Sequence, residues 1–290
     1  MKKLGIVLVS MLFALSLISF IGCGGNGEGE TAQNETESGA PKSYEDGFYF
    51  AQEDGFSEKT GWKYVVMLTV EDGKITEATW NGAHKSAGEP KVAQSKSGAY
   101  GMVKNGGAQS RWYEQAAKAE QYLLDKQDPT AITYTTDEGH TDAISGVSIH
   151  VIEFFSLAEK ALENGPVGKG PYKDGHFHAE GEEFSHGWKD VVDLTVLGGR
   201  IVAANFNALP EEGEMAKEES SMEGEYGMVE NGDAQAPWHE QTNKAEAHLL
   251  ETQDPTAVEF NDEGVADAIS GVSITIEPYF QLAEKALEER

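Results

Sequence analysis

The run Gly61-Trp62-Lys63-Tyr64-Val65-Val66-Met67-Leu68-Thr69-Val70-Glu71-Asp72-Gly73-Lys74-Ile75 decides the fold class. It is rich in β-branched and aromatic residues in partial alternation, and its Asp-Gly pair is the turn signal of a tight hairpin. Antiparallel strands at Trp62–Glu71 and Lys74–Ala83 follow from it. The same run returns as Gly187-Trp188-Lys189-Asp190-Val191-Val192-Asp193-Leu194-Thr195-Val196-Leu197-Gly198-Gly199-Arg200-Ile201, with Gly-Gly at the turn.

The recurrence extends outward from both hairpins. Tyr44-Glu45-Asp46-Gly47 returns as Tyr172-Lys173-Asp174-Gly175, and Tyr100-Gly101-Met102-Val103 as Tyr226-Gly227-Met228-Val229. Gln127-Asp128-Pro129-Thr130-Ala131 returns as Gln253-Asp254-Pro255-Thr256-Ala257, and the eight residues Asp142–Ile149 return letter for letter as Asp267–Ile274. The offset is 187 − 61 = 126 at the hairpin and 267 − 142 = 125 at the last motif, a domain length rather than a solenoid period. The chain is a tandem duplication, with copies over 44–163 and 172–290 and a Gly/Pro-rich linker at 164–171.

Each copy has one order of elements. A strand at Gly47–Gln52 precedes the hairpin, and a loop-like stretch rich in small and polar residues follows it from His84 to Gln109. Trp112 to Gln127 reads as a helix with Ala116, Ala119, Tyr122 and Leu123 along one face, stopped by Asp128-Pro129. A short strand is expected near Ile132–Thr135 and a second main helix over about Ile152–Glu163. Strands first and helices later, without βαβ alternation, predict an α+β domain on an antiparallel sheet, present twice.

The first 22 residues have a basic start (Lys2, Lys3), an apolar run and a small residue before Cys23, the marks of an export signal. Ile21-Gly22-Cys23 resembles the bacterial lipobox, which implies diacylation of Cys23 and an extracytoplasmic protein anchored to the cell membrane. Residues 23–43 are poor in large apolar side chains and read as a flexible tether. Cys23 is the only cysteine, so the chain has no internal disulfide and no thiolate zinc site. Removing Lys2 and Lys3 with the signal takes the formal charge from −28 to −30, an acidity that disfavours nucleic acid and anionic lipid headgroups as partners.

The succession Tyr-x-Asp-Gly, Gly-Trp-Lys, hairpin, helix, Asp-Pro and finally Asp-Ala-Ile-Ser-Gly-Val-Ser resembles the FMN-binding domain family over nearly all of both copies. That family includes flavin subunits of membrane redox pumps and lipoproteins of extracellular electron transfer. Its most specific element, Asp-x-x-Ser-Gly-Ala-Thr, ends in a hydroxyl residue to which a flavin transferase joins FMN through a phosphoester. Carried over, the acceptors are Ser148 and Ser273. Both copies depart from the pattern, with Val147 and Val272 for alanine and serine for threonine. Independently of the family, Gly146 and Gly271 permit close backbone approach to a phosphate that neighbouring amides can bond. Ser145 and Ser270 add donors, and Asp142 and Asp267 are suited to orienting the loop or a metal ion of the transferase. The resemblance implies a flavin electron carrier rather than an enzyme in its own right, with a redox donor and an acceptor as partners. The alternative is a duplicated surface ligand-binding module of the same fold without the flavin.

Other residues read differently. Trp62, Trp188, Trp112 and Trp238 suit core positions, whereas Tyr100-Gly101-Met102 and Tyr226-Gly227-Met228, retained within a loop, are ligand-lining candidates. His176 and His178 share a strand face, but copy one has Phe48 and Phe50 there, so this is no shared site, and no metal site is expected in either copy. If Cys23 is the anchor, Cys23→Ala releases the protein from membranes into the aqueous phase of a detergent partition. Retention of that variant in the detergent phase, with wild-type processing, would exclude lipidation at this position.

Overall fold

The hairpins form as the alternation requires. In the computed structural model, which describes residues 42–288 apart from Asp233, copy one has strands β1 (Gly47–Gln52), β2 (Trp62–Glu71) and β3 (Lys74–His84). They make one antiparallel sheet in the order β1-β2-β3. Helices α1 (Lys91–Ser97), α2 (Trp112–Lys126) and α3 (Ile152–Asn164) follow. Copy two repeats the order with β4 (Gly175–Glu180), β5 (Trp188–Leu197), β6 (Arg200–Pro210), α4 (Lys217–Met222), α5 (Trp238–Thr252) and α6 (Glu277–Glu288). Both sheets shift register at the equivalent place, Thr69/Val70 and Thr195/Val196. Cys23, segment 1–22 and nearly all of the tether lie outside the described residues. Among those described, no helix is long and apolar enough to cross a membrane.

Each copy buries its own core between one sheet face and its two long helices. In copy one the core is built on Tyr49, Leu68, Trp80, Trp112, Leu123 and Phe154, and in copy two on Leu194, Phe206, Trp238, Leu249, Tyr279 and Phe280. One substitution pair is reciprocal. Tyr64 on β2 stacks on Trp112 at 6.1 Å, and Phe154 sits behind it on Trp80 at 5.4 Å. Copy two carries Asp190 and Tyr279 at those places, and the Tyr279 hydroxyl donates to Asp190 at 2.7 Å.

The repeated turn and edge residues are explained by backbone satisfaction. Asp46 and Asp174, from the Tyr-x-Asp-Gly motifs, each accept the N–H of the hairpin glycine (Gly73 or Gly199) at 2.8 Å. On the free edge of β3, Gln127 bonds both the N–H (2.8 Å) and the carbonyl (2.9 Å) of Ile75, Glu120 accepts from Trp80 N–H at 2.7 Å, and Asn81 accepts from its neighbour Gly82 at 2.9 Å. Asn81 also accepts the Val92 N–H at 3.0 Å and so caps α1 from the strand. Gln253, Glu246 and Asn207 do the same for β6 and α4.

Two expectations are corrected. The stretch His84–Gln109 is not all loop, since it contains α1, a helix of seven residues whose cap comes from a distant strand. Ile132–Thr135 is not a strand. Its β-branched composition favours extension, but the β3 edge is closed by α2 and the outer side of β1 is met by the linker, where Val167 N–H donates to Phe48 at 2.8 Å. No edge is left to pair with.

Both repeats fall within one compact unit. Their outer sheet faces meet in a third apolar cluster of Val65, Met67, Ala83 and Ala87 from copy one and Leu197, Val202 and Ala203 from copy two, with Phe48 and Phe50 packed against it. The layers thus run helices, sheet, sheet, helices. The packing is not two-fold, because copy one's counterparts of Leu197, Val202 and Ala203 are Glu71, Thr76 and Glu77, outside the cluster. Linker residues join both copies, with Pro166 against Gly47 and Gly170 N–H donating to Gly198 at 2.9 Å.

Met67→Asp installs at this interface the residue that copy two carries at its own equivalent position. It should destabilise the full chain by about 2–4 kcal/mol in urea unfolding. Asp193→Met, on the free face, should cost less than half as much; equal costs would show that the interface contributes nothing.

Candidate functional site

Helix α2 positions the loop that carries the repeated serines. Gln115 is buried on α2, and its Oε1 accepts from Ser148 N–H at 2.7 Å, Ser148 Oγ at 3.2 Å and Ile149 N–H at 3.2 Å. Its Nε2 donates back to Ser110 at 3.2 Å, tying the loop to the segment before the helix. One turn on, Lys118 Nζ donates to the Gly146 carbonyl at 3.2 Å. In copy two Gln241 accepts from Ser273 N–H at 2.8 Å and Oγ at 3.2 Å, and Lys244 donates to Gly271 at 3.2 Å. Gly146 and Gly271 have φ of +73° and +77°, and a Cβ there would lie 2.4 and 2.5 Å from the lysine ammonium. The positive φ favours glycine at both, and a side chain there would have to displace the lysine.

The loop divides its residues between core and solvent. Ile144 and Ile269 are buried, Val272 is buried, and Val147 packs on the copy-one core. Ser145, Ser148, Ser270 and Ser273 are exposed, as are Asp142 and Asp267. The valines that depart from the family pattern therefore face inward and leave the outer surface of the loop to serine. One expectation fails here: the amides of Val147, Ser148 and Ile149 are not free to cradle a phosphate, being taken by Ile144 and Gln115. Among the described residues neither aspartate side chain makes a hydrogen bond; in copy one the Thr141 hydroxyl holds the loop's entry, accepting from Ala143 at 3.0 Å and donating to Thr133 at 2.7 Å.

Lys118 and Lys244 were not among the residues singled out from sequence. Their signal is the pattern Gln-x-x-Lys-Ala-Glu, present as Gln115–Glu120 and Gln241–Glu246.

A second pair of lysines also escaped the sequence reading. The Lys91 ammonium lies 4.4 Å from the Trp62 and Tyr100 ring centres, 4.8 Å from Tyr64 and 5.3 Å from Trp112. Burial pushes its pKa down to about 7, against the attraction of Glu153 and Glu53. Lys217 takes the same place among Tyr226, Trp238 and Trp188 at 4.7, 5.1 and 5.7 Å. Flanking identity is lacking there (Glu89-Pro90-Lys91-Val92 against Met215-Ala216-Lys217-Glu218), so only the fold aligns them. Trp62, Trp112 and Trp238 are buried, whereas Trp188 is half-buried. Tyr100 and Met102 also line an open cleft of about 370 Å³ with Ser95, Val103 and Arg111, beside the start of α2.

No family model and no curated protein matches the chain. A protein from Clostridium thermocellum, solved in solution as a Northeast Structural Genomics Consortium target, is 51% identical over 41% of this chain and 90% of its own length, with a TM-score of 0.34. The chain belongs to the family of that protein. The shared 41% is about the length of one repeat. A crystal structure from Clostridium perfringens is 27% identical over 42% of this chain and 88% of its own, with a TM-score of 0.33.

The retained glutamates of α2 and α5 give the site helices a pH signature. Burial raises Glu120 to about 7, and raises Glu246 well above the usual carboxylate range, although each accepts one backbone N–H. A carboxyl whose folded pKa is raised stabilises the fold most below its unfolded value near 4.5, and that contribution is lost as pH rises through about 7 for Glu120. Glu120→Gln keeps an acceptor for Trp80 and removes the ionisation. Its stability relative to wild type should rise by about 2–3 kcal/mol from pH 4.5 to pH 8. Parallel pH profiles in urea melts would show that Glu120 titrates as an ordinary surface acid.

Proposed function

We propose that each repeat holds one FMN, joined through the Ser148 and Ser273 hydroxyls by a flavin transferase, in an extracytoplasmic electron carrier anchored at Cys23. The observation that supports this reading most is the same in both copies. The serine at the acceptor position is exposed, its loop is held from behind by a buried glutamine, and a lysine ammonium lies on the loop backbone.

The residues fit a phosphoester by their chemistry. An acceptor hydroxyl has to reach a second protein, which exposure allows, and serine supplies the needed oxygen; threonine's methyl adds only χ1 stiffness. With the loop amides engaged by Gln115 and Ile144, Lys118 and Lys244 are the groups suited to pairing with phosphate oxygens. The inward valines remove the steric objection to a transferase gripping the loop. When bound, the flavin supplies the one- and two-electron redox chemistry, and the protein supplies placement and surroundings. Tyr100 and Met102, with Tyr226 and Met228 in copy two, are the candidates for lining the ring.

The alternative, a surface ligand-binding module without flavin, draws on one observation: core packing and the glycine φ angles alone explain why the isoleucine, glycine and valine of the loop recur unchanged. Coexpression with a flavin transferase separates the two. Intact mass should show two FMN phosphoesters per chain, Ser148→Ala and Ser273→Ala should each remove one, and the double variant should be colourless. Unmodified wild-type protein, from cells whose transferase labels a control substrate, would defeat the covalent reading.

A further inference from the structure

The two repeats differ most sharply on the outer face of the first two strands. In copy one Phe48, Phe50 and Met67 face the other repeat, with Phe50 paired across the strands to Met67. In copy two the same positions are His176, His178 and Asp193, and His178 pairs with Asp193. Gln52 of copy one becomes Glu180. Copy one covers this face of copy two at Thr195, Leu197 and Ala203, but His176, His178 and Asp193 stay partly exposed at its free end, which calls for polar side chains. Threonine, lysine or glutamate would meet that need. Instead, three side chains of metal-ligand type point their donors at one spot.

The geometry is specific. His176 Nε2 and His178 Nδ1 lie 2.7 and 2.9 Å from the same oxygen, Asp193 Oδ1. The other nitrogen of His178, Nε2, lies 3.2 Å from Glu180 Oε1, and Glu180 is paired in turn with Lys189. A ring nitrogen held by a carboxylate, with its partner nitrogen turned toward a shared point, is how a metal-ligating histidine is oriented. His176, His178 and Asp193 are about a quarter to two-fifths exposed, which leaves a path for an ion.

We propose that copy two binds one first-row divalent ion of the zinc, nickel or copper type through His176 Nε2, His178 Nδ1 and Asp193. Two imidazoles and one carboxylate suit these ions, whereas magnesium and calcium prefer all-oxygen sets. As placed, the donors are hydrogen-bonded to one another, and no group of three among the described residues stands open at coordination spacing. An ion takes the place of the protons between them. The nitrogens then move outward by a few tenths of an ångström, to the roughly 3 Å between neighbouring ligands on a sphere of about 2.0–2.2 Å. His178 keeps its Nε2 proton on Glu180 and gives its Nδ1 lone pair to the ion. Solvent completes the shell on the open side.

The test is copper titration of the full chain with Cys23 alkylated, in enough salt to suppress diffuse binding by the surface carboxylates. Electron paramagnetic resonance should show one equivalent of copper coupled to two nitrogens; zinc should displace it and magnesium should not. His176→Phe and His178→Phe, which carry copy one's residues, should each lower affinity at least tenfold and remove one nitrogen coupling. Asp193→Asn, close in shape, should weaken binding with an unchanged thermal melt. His248→Ala, on α5, should bind as wild type does. Copper without nitrogen coupling, or histidine variants that bind as tightly as wild type, would overturn the site.

Discussion

A three-stranded sheet has one interior strand and two edges, so most of its stability problem lies at the edges. In each repeat the free edge of the third strand is closed by the helix that crosses it. Gln127 bonds both polar groups of Ile75, and Glu120 takes the Trp80 N–H. These bonds satisfy donors that would otherwise template another chain. They also fix the helix along the strand. Gln127 itself sits past the helix end at φ +60°, a strained position for a residue with a Cβ, held there by its three side-chain bonds and its own N–H to Leu123. Once α2 is fixed, Gln115 and Lys118 on the same helix are fixed too, and with them the Ser-Gly-Val-Ser loop. The candidate site is thus registered to the sheet through a single helix.

Duplication then raises a second surface problem, since each sheet has one face left over after its helices pack. The repeats solve it by covering one outer face with part of the other, in a head-to-tail rather than two-fold relation. Such a relation leaves one unused surface at each end, and an apolar copy of either would recruit more repeats. The sequence diverges accordingly. Glu71, Thr76 and Glu77 replace the apolar set on the free end of copy one, and His176, His178 and Asp193 replace it on the free end of copy two. Divergence between the copies follows where each meets water.

Much of this was legible before the fold. Alternation and the Asp-Gly turn placed the hairpins, and a helical apolar stripe ending at Asp-Pro placed α2. The back-to-back packing had a signal that went unused. Val65-Val66-Met67-Leu68 is a continuous apolar run, as for a strand buried on both faces, whereas Val191-Val192-Asp193-Leu194 breaks it. The strand expected at Ile132–Thr135 failed because propensity says nothing about whether an edge is free. Helix α1 was hidden because its cap, Asn81, lies on another element. Within the candidate loop the letters identified the exposed hydroxyls correctly. They could not show that the adjacent amides were already bonded to a glutamine 33 residues away, nor that the unexpected valine turned inward.

The repeats are alike at the loop and unlike behind it. Gln115 and Gln241, and Lys118 and Lys244, are superposable in role, so whatever the loops carry is presented in the same way twice. Behind them, Lys91 is fully enclosed by four rings, while Lys217 meets three and is half-buried, because Asp190 stands where Tyr64 would complete the enclosure. Burial among aromatic rings disfavours the charged form of an ammonium. Lys91 is accordingly pushed down to about 7. The surroundings behind the two loops therefore differ although the loops match. In this chain that inequality of surroundings comes from a tyrosine hydroxyl that moved from a strand in one copy to a helix in the other.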